Sequence, residues 1–136
     1  MHFKVLNFNA PNNSEYVFGF GCFDEYLVVT NDEIRKGLYG ELNPNISKFT
    51  NSESIKNIDR NFISHKILEI EIIDSIMVVD IDMLPNINGT ALKYAIDHRL
   101  NVTLLPRIVA YESLDLENKK IRINKAVIVT FDIFIR

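Results

Sequence analysis

The 136-residue sequence has one cysteine, Cys22, which excludes an intramolecular disulfide. With only His2, His65 and His98 beside it, there is no regularly spaced ligand set for a structural zinc. Basic charge is not in excess either. Lys and Arg number 15 against 18 Asp and Glu, a formal net charge of −3, which supplies no diffuse positive field to hold a phosphate backbone. No window approaches the roughly 20 apolar residues of a membrane-crossing helix. Met1-His2-Phe3-Lys4 runs into a polar Asn/Pro stretch instead of an apolar h-region, so the expectation is a cytoplasmic protein without a secretory leader. The Asn-x-Ser/Thr triplets at Asn45, Asn88 and Asn101 are then chance matches. Internal repeats and low-complexity tracts are absent as well.

What is present is a composition that buries a core. At 47% apolar and 24% charged residues, residues 1–136 are expected to form one domain that hides roughly two-thirds of its unfolded surface. Strand signals dominate. Phe3 to Phe8, Tyr16 to Phe20 and Glu25 to Thr30 read as β-prone runs separated by turn clusters at Ala10-Pro11-Asn12-Asn13 and Phe20-Gly21-Cys22, which together predict an antiparallel meander. Thr30-Asn31-Asp32-Glu33 offers a capping residue with a glutamate beyond it, so Asp32 to Gly37 reads as one helical turn closed by glycine. Residues 40–60 are polar and too poor in apolar side chains to define a face, and a connection that long inside a compact domain is usually functional or mobile. From Phe62 to Ile72 the pattern alternates, with Ile63, His65, Ile67, Glu69 and Glu71 on one face; Asp74-Ser75 then turns the chain into Ile76 to Met83, predicting a long hairpin. Ala91, Leu92, Ala95, Ile96 and Leu100 recur at three- and four-residue steps, the stripe of one principal helix at about 89–98. Asn101 to Tyr111 and Lys119 to Arg136 return to strand. The fold class is therefore α+β and β-rich: a curved or barrel-like antiparallel sheet covering one helix.

Several clusters invite a chemical reading, and each has a plainer one. Asp80 and Asp82 share a strand face that Glu69 and Glu71 can approach across the hairpin. That is an arrangement hard cations like, but without a glycine-punctuated aspartate loop it reads as a solvated face countered by Lys66. Nothing nearby implies a sugar site for a carboxylate pair. Lys119 to Lys125 lacks the interleaved aromatics of a nucleic-acid strip and reads as a solubilising strand that discourages edge pairing. Gly19-Phe20-Gly21 is a bend without the following helix a phosphate loop needs. Ser113 suits turn chemistry, and Cys22 is a small core hydrophobe. No metal and no cofactor is expected.

From Leu38 to Ile133 the sequence resembles the prohead core proteases of large tailed phages, serine proteases distantly related to herpesvirus assemblin. Tyr39-Gly40-Glu41-Leu42-Asn43-Pro44 is similar to the family's Gly-Glu-Leu-x-His-Pro segment. Asn61-Phe62-Ile63-Ser64-His65-Lys66-Ile67 is similar to the strand bearing its catalytic histidine, and Met83-Leu84-Pro85-Asn86-Ile87-Asn88-Gly89 to its helix start. Val129-Thr130-Phe131-Asp132-Ile133 resembles the closing strand. The family's Val-Ser-Ser-Arg-Gly, which carries the nucleophile and groups for the oxyanion, corresponds here to Leu104-Leu105-Pro106-Arg107-Ile108. Leu105 and Pro106 thus stand where the serines stood, Arg107 is retained, and Asn43 replaces a histidine. Leucine cannot attack a carbonyl, and proline removes a backbone donor.

The resemblance therefore implies the fold without the chemistry. No catalytic residue is expected; His65, Thr103 and Arg107 are vestigial candidates, with Thr103 the displaced nucleophile if the strand slid by two residues. Leu105 is expected to fill a cleft beside His65. The implied function is a non-catalytic phage virion or head-assembly protein, located in the virion after assembly in the host cytoplasm. Its partners would be other phage structural subunits or itself, with no nucleic acid and no membrane. Two alternatives stand beside it: a divergent maturation protease with a displaced nucleophile, and a small phage protein that binds a host target. A hydroxyl or thiol within hydrogen-bond reach of His65, beside a free oxyanion pocket, would favour the protease.

Overall fold

A computed structural model describes residues 1–8 and 16–136; the turn cluster expected at Ala10-Pro11-Asn12-Asn13 lies outside them. Two open sheets share one apolar core. The first is fully antiparallel, in the order β1 (His2–Asn7), β5 (Ile76–Met83), β4 (Ile63–Ile73), β3 (Leu38–Glu41). The second runs β2 (Tyr16–Phe18), β7 (Ile121–Ile135), β6 (Val102–Asp115), with β2 parallel and β6 antiparallel to β7. Among the described residues a parallel bridge between Leu42 and Ile133 joins the edge of one sheet to the other. Ile67, Val79 and Ile81 from the first sheet meet Leu104, Ile128, Phe131 and Ile133 from the second.

The expected hairpin is β4 and β5. Asp74 and Ser75 form its turn, both at positive φ (50° and 66°), the conformation whose twist matches the flanking strands. Its expected single face does not persist, however, because a bulge between Ile67 and Glu69 inserts one residue and inverts the alternation. His65 and Ile67 point into the core, whereas Glu69 and Glu71 are exposed. Asp82 lies opposite Lys66 and Asp80 opposite Glu69.

The principal helix, α3 (Ile87–Asp97), begins after Asn86, whose side chain accepts from the Gly89 N–H, as a capping residue should. Gly89, Leu92 and Ala95 are its buried positions and it packs on β4 and β5. A Cβ on Gly89 would stand 1.8 Å from the Leu84 carbonyl oxygen, so only glycine lets the helix start this close to the strand end.

A second helix corrects the expectation of one. The β-prone run Leu27-Val28-Val29-Thr30 is the start of α1 (Leu27–Lys36), not a strand, and the glycine bend before it is followed by helix after all. Two forces override β-propensity. Thr30 is buried and its hydroxyl donates to the Ile128 carbonyl, while Arg35 and Lys36 sit in the last turn, where cations favour the dipole. The meander is likewise absent: β1 pairs with β5 and β2 with β7. The basic run also departs from expectation, since β7 is flanked on both sides and is no edge strand. Its apolar end packs within the domain, with Phe131 and Ile133 fully buried.

Candidate functional site

Residues 43–60 fold into short elements: a 3-10 turn Ile46–Lys48 and α2 (Ser52–Lys56), the latter closed by a reciprocal capping box between Asn51 and Ser54. This segment straps over β6 and β7, and a buried charge cluster fastens it there.

Arg107 of β6 is the hub. Its Nε and Nη2 donate to the two Asp132 oxygens, both at 2.8 Å, and Nη2 also donates to Glu41 Oε2 at 2.7 Å. Nη1 donates to the carbonyls of Ile55 (3.2 Å) and Asn57 (3.0 Å), and the Phe49 ring covers the guanidinium at 4.4 Å. All five N–H groups of the fork are thereby engaged. Glu41 is equally saturated, accepting from Lys48 Nζ at 3.0 Å and the Asp59 N–H at 3.1 Å, and its own N–H donates to Asp132 Oδ1. Among the described residues no buried side-chain nitrogen or oxygen lacks a hydrogen bond.

Burial alone would raise the Glu41 pKa, but Arg107, the Asp59 N–H and Lys48 together hold it below the ordinary carboxylate range. For Asp132 burial prevails, with the Glu41 charge adding to it, and its pKa is pushed up despite Arg107. Such a cluster is costly to break, because removing one member strands an unpaired buried charge.

His65 lies one layer away, with no exposed surface. Its Nε2 is 2.7 Å from the Phe131 carbonyl oxygen and its Nδ1 is 2.8 Å from Ser64 Oγ. A carbonyl can only accept, so Nε2 carries the proton, and Nδ1 accepts from the serine hydroxyl. Burial lowers the pKa to about 4, against the opposing effect of the Phe131 bond, so the ring is neutral near pH 7. The pair has the atoms of a nucleophile and its base, but Ser64 is fully buried and no carbonyl can approach its Oγ in the folded chain. Gly40 seals the other side, where a Cβ would stand 2.0 Å from the Phe131 oxygen and 2.2 Å from His65 Nε2.

The remaining sequence candidates fall elsewhere. Thr103 is half-buried opposite Phe134, and Pro106 lies opposite Phe131 on the sheet-edge strand β6, where the missing N–H is tolerated. Leu105 does not fill a cleft beside His65. It is 38% exposed and, with Ile46, Phe49, Ile55 and Phe134, lines an outer cleft of about 260 Å³ above Arg107 and Asp132. The reason is the register: Leu105, opposite Asp132, shares the strand face covered by the 43–60 strap, whereas His65 reaches only the β7 backbone.

Asn43 takes a positive φ of 47°, which asparagine tolerates, and its Oδ1 accepts from the Ile135 N–H at 2.8 Å. Cys22 is buried and its pKa is pushed up to about 12, a core thiol. Among the described residues no group of three or more His, Cys, Asp and Glu is placed to hold a metal ion, and no helix is long and apolar enough to cross a membrane. Glu41, Ser64 and Asp132 were not singled out from the sequence. The available signal was Asp132 inside the apolar run Phe131 to Ile135, since a carboxylate at an inward strand position needs a buried cation.

No family model matches the sequence, and no curated protein matches it. Comparison with solved structures is informative: the fold of this chain is like that of a phage capsid assembly protease. One matching structure is the capsid assembly protease gp21 of bacteriophage T4, with a TM-score of 0.79 at 12% identity, covering 98% of this chain and 79% of that one. At that identity the likeness is one of fold.

Proposed function

We propose that the chain is a phage head-assembly protein that uses the capsid-assembly-protease fold for protein contacts and does not hydrolyse peptides. The observation that carries this reading is the saturation of Arg107. The resemblance places this arginine beside the nucleophile, yet every one of its N–H groups is committed to Asp132, Glu41, Ile55 or Asn57, leaving none for an oxyanion. Leu105 and Pro106 at the nucleophile positions, and a histidine whose one hydroxyl neighbour is sealed, point the same way. The protein would act in the phage head, assembled in the host cytoplasm, among phage structural subunits.

The test has two arms. The purified chain is treated with a serine-directed fluorophosphonate and with prohead scaffold protein, and mature particles are analysed for the chain by mass spectrometry. No label, no cleavage and retention in particles are expected. Labelling or cleavage would overturn the non-catalytic reading in favour of a divergent protease, for which the 2.8 Å contact between Ser64 and His65 is the favouring observation. Absence from particles together with capture on a host protein would favour the host-target alternative.

A further inference from the structure

The outer side of α3 is largely apolar. Gly89, Leu92 and Ala95 are buried against the domain, and at about 100° per residue the opposite side carries Ile87, Ala91, Tyr94 and His98 in one stripe. All four are exposed, Ile87 at 87% and Tyr94 at 60%, and Leu100, just past the helix, is 46% exposed. Part of the stripe is already ordered. The Tyr94 and His98 rings stack with centroids 3.8 Å apart, and His98 Nδ1 lies 2.9 Å from the Tyr94 carbonyl oxygen, so a partner meets side chains that have less rotamer freedom left to lose.

Lys93 and Asp97 are the only charged residues of α3. They stand one turn apart on the same flank of the stripe, both exposed, and neither has a charged partner among the described residues. Their order along the axis decides what the stripe fits. A partner surface of one charge sign would satisfy one of them and repel the other. A second copy of α3 running antiparallel satisfies both: a two-fold axis level with Tyr94 and Ala95 sets like flanks facing each other and brings Lys93 of each copy level with Asp97 of the other. The same axis places Tyr94 across from Tyr94, Ala91 across from His98, and Ile87 level with the turn at Leu100. The two helix dipoles then run in opposite directions, which adds to the fit.

We propose that this chain forms a two-fold dimer through the α3 stripe, with Tyr94 at the axis and two Lys93 to Asp97 ion pairs beside it. The patch is its own complement, so the assembly closes at two copies. A helix of 11 residues is about 16 Å long, so the contact is small and reversible. It uses no member of the Arg107 cluster and holds whether or not the chain is catalytic.

Sedimentation equilibrium of the full chain over a range of concentration tests this, and a monomer to dimer equilibrium without larger species is expected. Lys93→Asp and Asp97→Lys, each made alone, set like charges against each other in both pairs and should each weaken dimerisation by at least about tenfold. Mixing the two variants should restore it as a heterodimer, since one chain then offers two carboxylates and the other two ammonium groups. A chain carrying both changes should dimerise as the wild type does. Circular dichroism checks that each variant is folded; if a charge change perturbs folding, Tyr94→Ser, at an exposed position, tests the same contact and should also weaken it. A monomer at every concentration, single variants that dimerise as well as the wild type, or no heterodimer on mixing would each overturn the proposal.

Discussion

Acidification should destabilise this protein through His65 before it does so through most carboxylates. The imidazole binds its proton near pH 6.5 in an unfolded chain and at about 4 in the folded one, so between those values the unfolded state holds more protons. Stability from this group is fully present above pH 6.5 and is lost as pH falls toward 4. At about 1.4 kcal/mol per pH unit the total loss is about 3 kcal/mol. Urea titrations from pH 7 to 4 measure it, compared with His65→Gln. Glutamine can still donate to the Phe131 carbonyl and accept from Ser64 but does not titrate. Glu41, held low, loses stability in the same direction at lower pH, while Asp132, pushed up, is relieved by acid; the variant retains both, so the comparison subtracts them. The extra wild-type slope between pH 6.5 and 4 that belongs to His65 should be absent in His65→Gln. An equal slope in the two proteins, or a His65 NMR titration midpoint near 6.5, would refute the assignment of a sealed, neutral imidazole.

Arg107→Met should cost about 3–5 kcal/mol by stranding Glu41 and Asp132, and limited proteolysis should then cut first within residues 43–60, whose Ile55 and Asn57 carbonyls have lost their donor. Gly40→Ala should destabilise by about 3 kcal/mol or more, since its methyl group overlaps the His65 to Phe131 hydrogen bond; a shift in thermal midpoint reads this. Leu92→Ala should cost about 2–4 kcal/mol in denaturant titrations because its side chain is fully buried, with Ile96→Ala, half-buried, costing less. Leu105→Ser with Pro106→Ser should remain unlabelled by a fluorophosphonate, because His65 Nδ1 faces Ser64 and Arg107 has no spare donor.

Local chemistry was legible in the sequence wherever a short stretch decides the structure. Asp74-Ser75 marks the hairpin turn, and Leu92, Ala95 and Ile96 mark one face of α3. The misread parts are those decided from a distance. Val28 and Val29 favour a strand by themselves, and only the packing of Thr30 on β7, 98 positions later, makes helix of that run. The bulge after Ile67 is set by pairing with β5, so alternation alone put Glu69 on the face of His65. The charge cluster joins Glu41, Arg107 and Asp132 across 66 and 25 positions; the resemblance drew attention to Arg107 as a remnant of catalysis, but no spacing rule reveals which carboxylates it would meet.

That cluster also orders events during synthesis. Glu41 and the 43–60 segment leave the ribosome long before Asp132, and Arg107 emerges between them. Until β7 is made, the arginine has one of its two carboxylates, the His65 ring has no Phe131 carbonyl, and β2 and β6 have no strand to pair with. The hairpin of β4 and β5 can form early from its own turn, but the strap cannot lock. Only once β7 is made can β2 and β6 be joined in one sheet and the strap be fastened on it, so closure of this fold depends on contacts between segments far apart in the chain.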